Sequence, residues 1–151
     1  MDVQIVNQPD LRIAGIRHIG PYHEIGREFG RLGGMLKGPP PPGSQMIALF
    51  HDDPAVTPPD KLRADAALTL PASARAPAGL IEQHIPAGRY AKAIHKGGYE
   101  GLPATWDALK KEWLPKSGHK MGGPSYEVYV NNPMTTEKSE LLTEVYLRLR
   151  D

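Results

Sequence analysis

The sequence repeats itself. Displaced by 77 positions, Pro9, Arg12, Ala14, His18, Gly20, Tyr22 and Leu32 fall on Pro86, Arg89, Ala91, His95, Gly97, Tyr99 and Leu109. Displaced by 79, Pro54, Thr57, Leu62, Leu68 and Leu70 fall on Pro133, Thr136, Leu141, Leu147 and Leu149. The step from 77 to 79 is one two-residue length change in the loop after the first helix of each copy. A chain written this way must lay down its elements twice in the same order. It is a tandem duplication, with repeats spanning about residues 1–71 and 80–151. Two copies related by a pseudo-two-fold axis leave a groove where they meet. Positions at which the copies differ then mark where function broke the symmetry.

Half of this chain could bury only a marginal core, whereas all 151 residues suit one domain. A single domain made of both repeats is therefore expected. Net charge is +1, from 18 basic and 17 acidic residues without a long run of either sign. That balance argues against direct nucleic-acid binding, which needs a basic face. The absence of cysteine excludes disulfides and thiolate metal sites and fits a cytoplasmic location. The N-terminus lacks a charged-then-apolar signal, and no apolar stretch approaches the roughly 18 residues a membrane helix needs. A soluble protein without a membrane partner is expected.

Each copy reads strand, helix, strand, strand. Ile25, Phe29, Leu32 and Leu36 recur at amphipathic-helix spacing, and Leu102, Trp106, Leu109 and Trp113 repeat it. Pro103 suits the first turn of the second helix. Gly26, Gly30, Gly33 and Gly34 weaken the first helix, whose last turn is expected to fray. The strands entering the helices are Arg12 to His18 and Arg89 to His95. Met46 to Phe50 and Ser125 to Val130 follow, ending at Asp53-Pro54 and Asn132-Pro133, and Ala64 to Leu70 and Thr143 to Leu149 return. The Pro39–Pro42 run makes an exposed loop, and residues 71–79 link the copies. The fold class is α+β, an antiparallel sheet with both helices on one face.

Glu127 is the most telling difference between the copies. Strand alternation puts Tyr126, Val128 and Val130 on one face and Glu127 with Tyr129 on the other. The first copy carries Ala48 and Phe50 at the matching positions. Two aromatic rings would thus be symmetric while a carboxylate opposes a methyl group. A carboxylate beside aromatics at a groove suits a cationic or polarised apolar ligand, and if desolvated its raised pKa would let it move protons. A solvent-facing strand glutamate is the alternative.

His18 to Tyr22 is echoed by His95 to Tyr99, and repetition favours a structural role, although Tyr22 and Tyr99 place phenols near the seam. Trp106 aligns with Phe29 and sits at a core position, with a larger ring that can reach the groove. The histidines lack metal-ligand spacing, so no metal and no cofactor is expected. His51-Asp52-Asp53-Pro54 reads as a strand end and an Asx turn.

The segments His18 to Tyr22, Asp52 to Thr57, Ala87 to Ala91, His95 to Tyr99 and Glu127 to Pro133 together resemble the GyrI-like effector-binding family. It includes stand-alone DNA gyrase inhibitory proteins and ligand-sensing domains of AraC- and MerR-type regulators. The likeness runs from Val3 to Arg150. It implies a duplicated SOUL/GyrI-like fold with a small-molecule groove between the halves, centred on Glu127. Regulators of this family carry a DNA-binding domain, and this chain begins directly with the first strand, so a free-standing sensor or sequestering protein is expected. Three readings follow. The first is capture of hydrophobic, cationic or electrophilic small molecules by Glu127, Tyr129, Phe50, Tyr22, Tyr99 and Trp106. The second is a cyclopropanoid hydrolase using Glu127 and Tyr99 to open a strained ring. The third is a protein-interaction role with DNA gyrase as partner.

Overall fold

Pro9 and Pro86 decide the connectivity. In the computed structural model, which describes residues 1–150, strand β1 (Gln4–Gln8) is separated from β2 (Leu11–Ile19) by Pro9-Asp10 alone. Likewise β5 (Ile81–Ile85) is separated from β6 (Gly88–Lys96) by Pro86-Ala87. A two-residue hairpin would need positive φ at its first central residue, which proline forbids. Neither strand pair folds back on itself. β1 pairs with β6 instead, and β5 with β2, both antiparallel.

The remaining strands are β3 (Met46–Phe50), β4 (Arg63–Thr69), β7 (Ser125–Tyr129) and β8 (Leu142–Arg148). The chain divides into two units, each with a four-stranded antiparallel sheet. Residues 1–8 with 88–150 form one, in strand order β1-β6-β8-β7. Residues 9–87 form the other, in order β3-β4-β2-β5. The sequence repeat and the structural unit are thus offset by one strand, because each copy lends its first strand to the other copy's sheet. These first strands, which the strand-helix-strand-strand pattern omits, carry modest apolar content and are largely exposed.

Helix α1 (Gly26–Met35) covers one face of the 9–87 sheet, burying Leu32 against Ala14, Leu68 and Leu70. In the other unit Leu109 is buried against Ala91, Val145 and Leu147. The helix persists through Gly33 and Gly34 to Met35 rather than fraying before them. The second helix is not uniform. α2 (Leu102–Asp107) widens into a π-helical segment, Ala108–Trp113, then continues as α3 (Leu114–Ser117). Pro115 explains this: its ring would clash with the carbonyl four residues back, and widening lets the Leu114 N–H reach the Leu109 carbonyl. Asp53 accepts the Ala55 backbone N–H, as the Asx-turn reading expects, and Asn132 does the same with Met134.

The two repeated histidines staple strand to helix. Nε2 of His18 donates to the Pro21 carbonyl at 2.9 Å, and that of His95 to the Gly98 carbonyl at 2.8 Å. A carbonyl only accepts, so the Nε2 proton is assigned by chemistry. On the other side, Nδ1 of His95 meets the Thr105 hydroxyl at 2.8 Å, whereas His18 meets the equivalent Glu28. Burial alone would raise the Glu28 carboxyl, but hydrogen bonds from His18, Arg31 and Arg27 outweigh it and hold the group below its ordinary range. A depressed carboxyl contributes stability above its unfolded pKa and loses it as pH falls through the folded value. Glu28→Gln is therefore expected to cost about 1–3 kcal/mol at neutral pH and to flatten the acid limb of the stability curve. Thermal melts between pH 3 and 7 check this; parallel curves for the two proteins would contradict it.

Candidate functional site

Two rows of side chains cross the sheet of the 88–150 unit. Glu127, Val145 and Ala93 are direct cross-strand partners on β7, β8 and β6, and Tyr129, Thr143 and His95 form the next row. Residues directly opposite share a face, and Val145 and Ala93 pack beneath the helix with Leu109 and Trp106. Both rows therefore point toward the helix.

Glu127 is only 5% exposed. Trp106 donates its indole N–H to one carboxylate oxygen at 2.6 Å, and Tyr129 donates its hydroxyl to the other at 2.7 Å. Among the described residues no lysine or arginine pairs with it. Burial pushes its pKa up, and the two hydrogen bonds only partly offset that. The Tyr129 phenol is pushed well above its ordinary value, first by burial and then by the neighbouring carboxylate. Tyr99 stands beside it with ring centroids 5.3 Å apart, its phenol also raised by burial and by Glu127. The Lys110 ammonium lies 5.5 Å from the centre of the Trp106 ring.

Four of the residues singled out in the sequence thus come together in this unit: Trp106 and Tyr129 on the Glu127 carboxylate, and Tyr99 beside Tyr129. The solvent-facing alternative for Glu127 does not hold. Tyr22 and Phe50 form their own pair in the 9–87 unit, with centroids 4.7 Å apart. The Tyr22 hydroxyl donates to the Arg63 carbonyl at 2.8 Å and accepts the Asp52 N–H at 3.0 Å, with its pKa pushed up to about 12, mostly by burial. That phenol ties a loop to a strand, and its ring is what it can offer a ligand.

The sequence reading gives Trp106 as a core ring that can reach the groove and stack on a ligand; the structure adds its N–H as a donor to Glu127. Thr143 went unremarked. The signal was available, since the repeat places Ala64 opposite it. Among the described residues no cluster of three or more His, Asp or Glu could hold a metal ion, and no helix is long and apolar enough to cross a membrane.

The arrangement is a buried acid bonded to two aromatic side chains in a duplicated α+β fold. The chain belongs to the GyrI-like family, whose small molecule binding domain matches residues 1–150. A DNA gyrase inhibitor of Yersinia enterocolitica is 33% identical over 138 residues, covering 87% of this chain and 88% of that protein. The DNA gyrase inhibitor of Escherichia coli K12 is 27% identical over 137 residues, with 87% of each chain covered. Among solved structures, the EcmrR C-terminal domain is similar at a TM-score of 0.77 and 18% identity, covering 99% of this chain and 98% of that one. A protein solved bound to tetraphenylphosphonium is similar at a TM-score of 0.71 and 13% identity, covering 99% of this chain and 94% of that one.

Proposed function

We propose that this protein binds lipophilic organic cations, with Glu127 as the charged contact and Trp106, Tyr129 and Tyr99 as the aromatic wall. One observation carries the reading: a buried carboxylate holds two hydrogen-bond donors and no cationic partner among the described residues. Such a group lacks the hydration that would stabilise its charge. A bulky cation with a diffuse charge restores that stabilisation by Coulomb attraction, while its hydrocarbon surface meets aromatic faces. The tetraphenylphosphonium complex of a protein of similar fold suggests the probe.

Tetraphenylphosphonium titrated calorimetrically is expected to bind the wild type and to lose at least about tenfold in affinity with Glu127→Gln, ~1.4 kcal/mol, a lower bound for one charge contact in a buried site. Affinity for the wild type should also strengthen with pH. The cation selects the ionised carboxylate, and the raised pKa means that protons compete with the cation at higher pH than they would at an exposed glutamate. A dissociation constant that is flat from pH 5 to 8 and unchanged in Glu127→Gln would remove the role given to this residue.

The names of the sequence relatives favour a second reading, inhibition of DNA gyrase. A pull-down with purified gyrase and a supercoiling assay test it. Inhibition that survives Glu127→Gln would separate it from ligand capture.

A further inference from the structure

Thr143 is fully buried, and its hydroxyl has no hydrogen-bond partner. It stands in the middle strand of the unit, between Tyr129 on β7 and His95 on β6, in the row next to Glu127. Neither neighbour relieves it. His95 has both ring nitrogens engaged, by Thr105 and by the Gly98 carbonyl, and the Tyr129 hydroxyl is turned to Glu127. A buried hydroxyl without a partner is costly, so its retention calls for an explanation.

The duplication sharpens the point. The equivalent position in the first copy is Ala64, which fills the same place on β4 without a polar atom. The fold therefore does not require a hydroxyl there. The same copy also has Ala48 for Glu127, Phe50 for Tyr129 and Phe29 for Trp106. Glu127, Tyr129, Trp106 and Thr143 are thus all polar additions to an apolar template, whereas Tyr99 keeps its counterpart in Tyr22. Three of these additions bond to one another, and Thr143 alone is left over.

We infer that the Thr143 hydroxyl is a specificity contact that hydrogen-bonds an oxygen-bearing group on the ligand. The preferred ligand is then an organic cation carrying a hydroxyl, ether or carbonyl oxygen, rather than one with a purely hydrocarbon exterior. This deepens the cation-binding reading and rests on it. Threonine can donate to any of these oxygens, and it can accept from a ligand hydroxyl. A site built to meet such a group also discriminates against analogues without it, because they leave the threonine unpaired.

The test uses tetraphenylphosphonium and the three isomers of hydroxyphenyl-triphenylphosphonium, titrated into wild type, Thr143→Val and Thr143→Ser. At least one isomer is expected to bind the wild type about tenfold more tightly than tetraphenylphosphonium. Thr143→Val should erase that preference while leaving tetraphenylphosphonium affinity within about twofold, and Thr143→Ser should restore it. Thr143→Val should also melt at or above the wild type, since it removes an unsatisfied group without changing shape. A merely structural threonine would move the melting temperature but not the isomer preference. Equal binding of all four probes by the wild type, or a preference that survives in Thr143→Val, overturns the inference and leaves cation binding standing. Failure of all four probes to bind the wild type overturns both.

Discussion

A Glu127→Gln protein is expected to melt at a higher temperature than the wild type at neutral pH while binding cations less well. The amide keeps both contacts, accepting the Trp106 N–H through its oxygen and presenting its nitrogen to the Tyr129 oxygen. It removes a charge from a site that is 5% exposed. The direction follows from the raised pKa. For such a carboxyl, the stabilisation is complete below its unfolded pKa, near 4.3, and is lost as pH rises through the folded value. The gap between variant and wild type should therefore open with increasing pH and close in acid. A buried charge without an opposite partner carries a desolvation penalty of several kcal/mol, so its removal is expected to gain roughly 1–3 kcal/mol. At this chain length that corresponds to about 2–4 °C per kcal/mol. Melts at pH 4, 6 and 8 measure it, and a variant that melts below the wild type at pH 8 would show the ionised carboxylate to be net stabilising. Such a result would accord with the role proposed for Glu127, since stability is commonly lost where function needs a destabilised group.

Gly15→Ala is expected to be the most damaging single-methyl change in the chain. Gly15 lies in β2 between Ala67 on β4 and Ile81 on β5. A Cβ there would sit 2.2 Å from the Ala66 carbonyl oxygen and 2.6 and 2.7 Å from Cβ and Cα of Ala67. No side chain can swing aside, because the obstacles are backbone and a methyl attached directly to it. Relief must come from separating β2 and β4, at a cost of roughly 3 kcal/mol or more. Urea denaturation should show a lower midpoint with little change in slope, and an unaltered midpoint would mean the strands part freely. Lys92, the equivalent residue in the second copy, makes the contrast. It reaches out to Glu144 at 3.1 Å and over the Tyr146 ring, so the same strand position is open in one unit and closed in the other.

Much of this was legible without coordinates. The pairing of Glu127 with Tyr129 on one face follows from strand alternation, a local property of the backbone. So do the Asx turn at Asp53 and the apolar stripes holding Leu32 and Leu109. Repetition helped further, because each element was read twice. The exchange of β1 and β5 was less visible. Pro9 and Pro86 forbid a tight hairpin, but a forbidden turn does not say which distant strand will be the partner. The π-helical segment does not follow from the apolar spacing of Leu102, Trp106, Leu109 and Trp113, which fits a regular helix, and only the packing around Pro115 selects widening over a kink.

What the amino-acid order settled by itself is the duplication, the strand-helix-strand-strand order within each copy, the alternation of faces along β7 and the carboxylate lacking a counterpart. These depend on periodicity and on comparing one copy with the other. The tertiary structure decided the rest: that Glu127 is buried, that Trp106 is its donor, and that Thr143 is left with an unanswered hydroxyl. Burial and hydrogen bonding are properties of neighbours far apart in the chain, and those neighbours exist only once the sheet and helix have closed over one another.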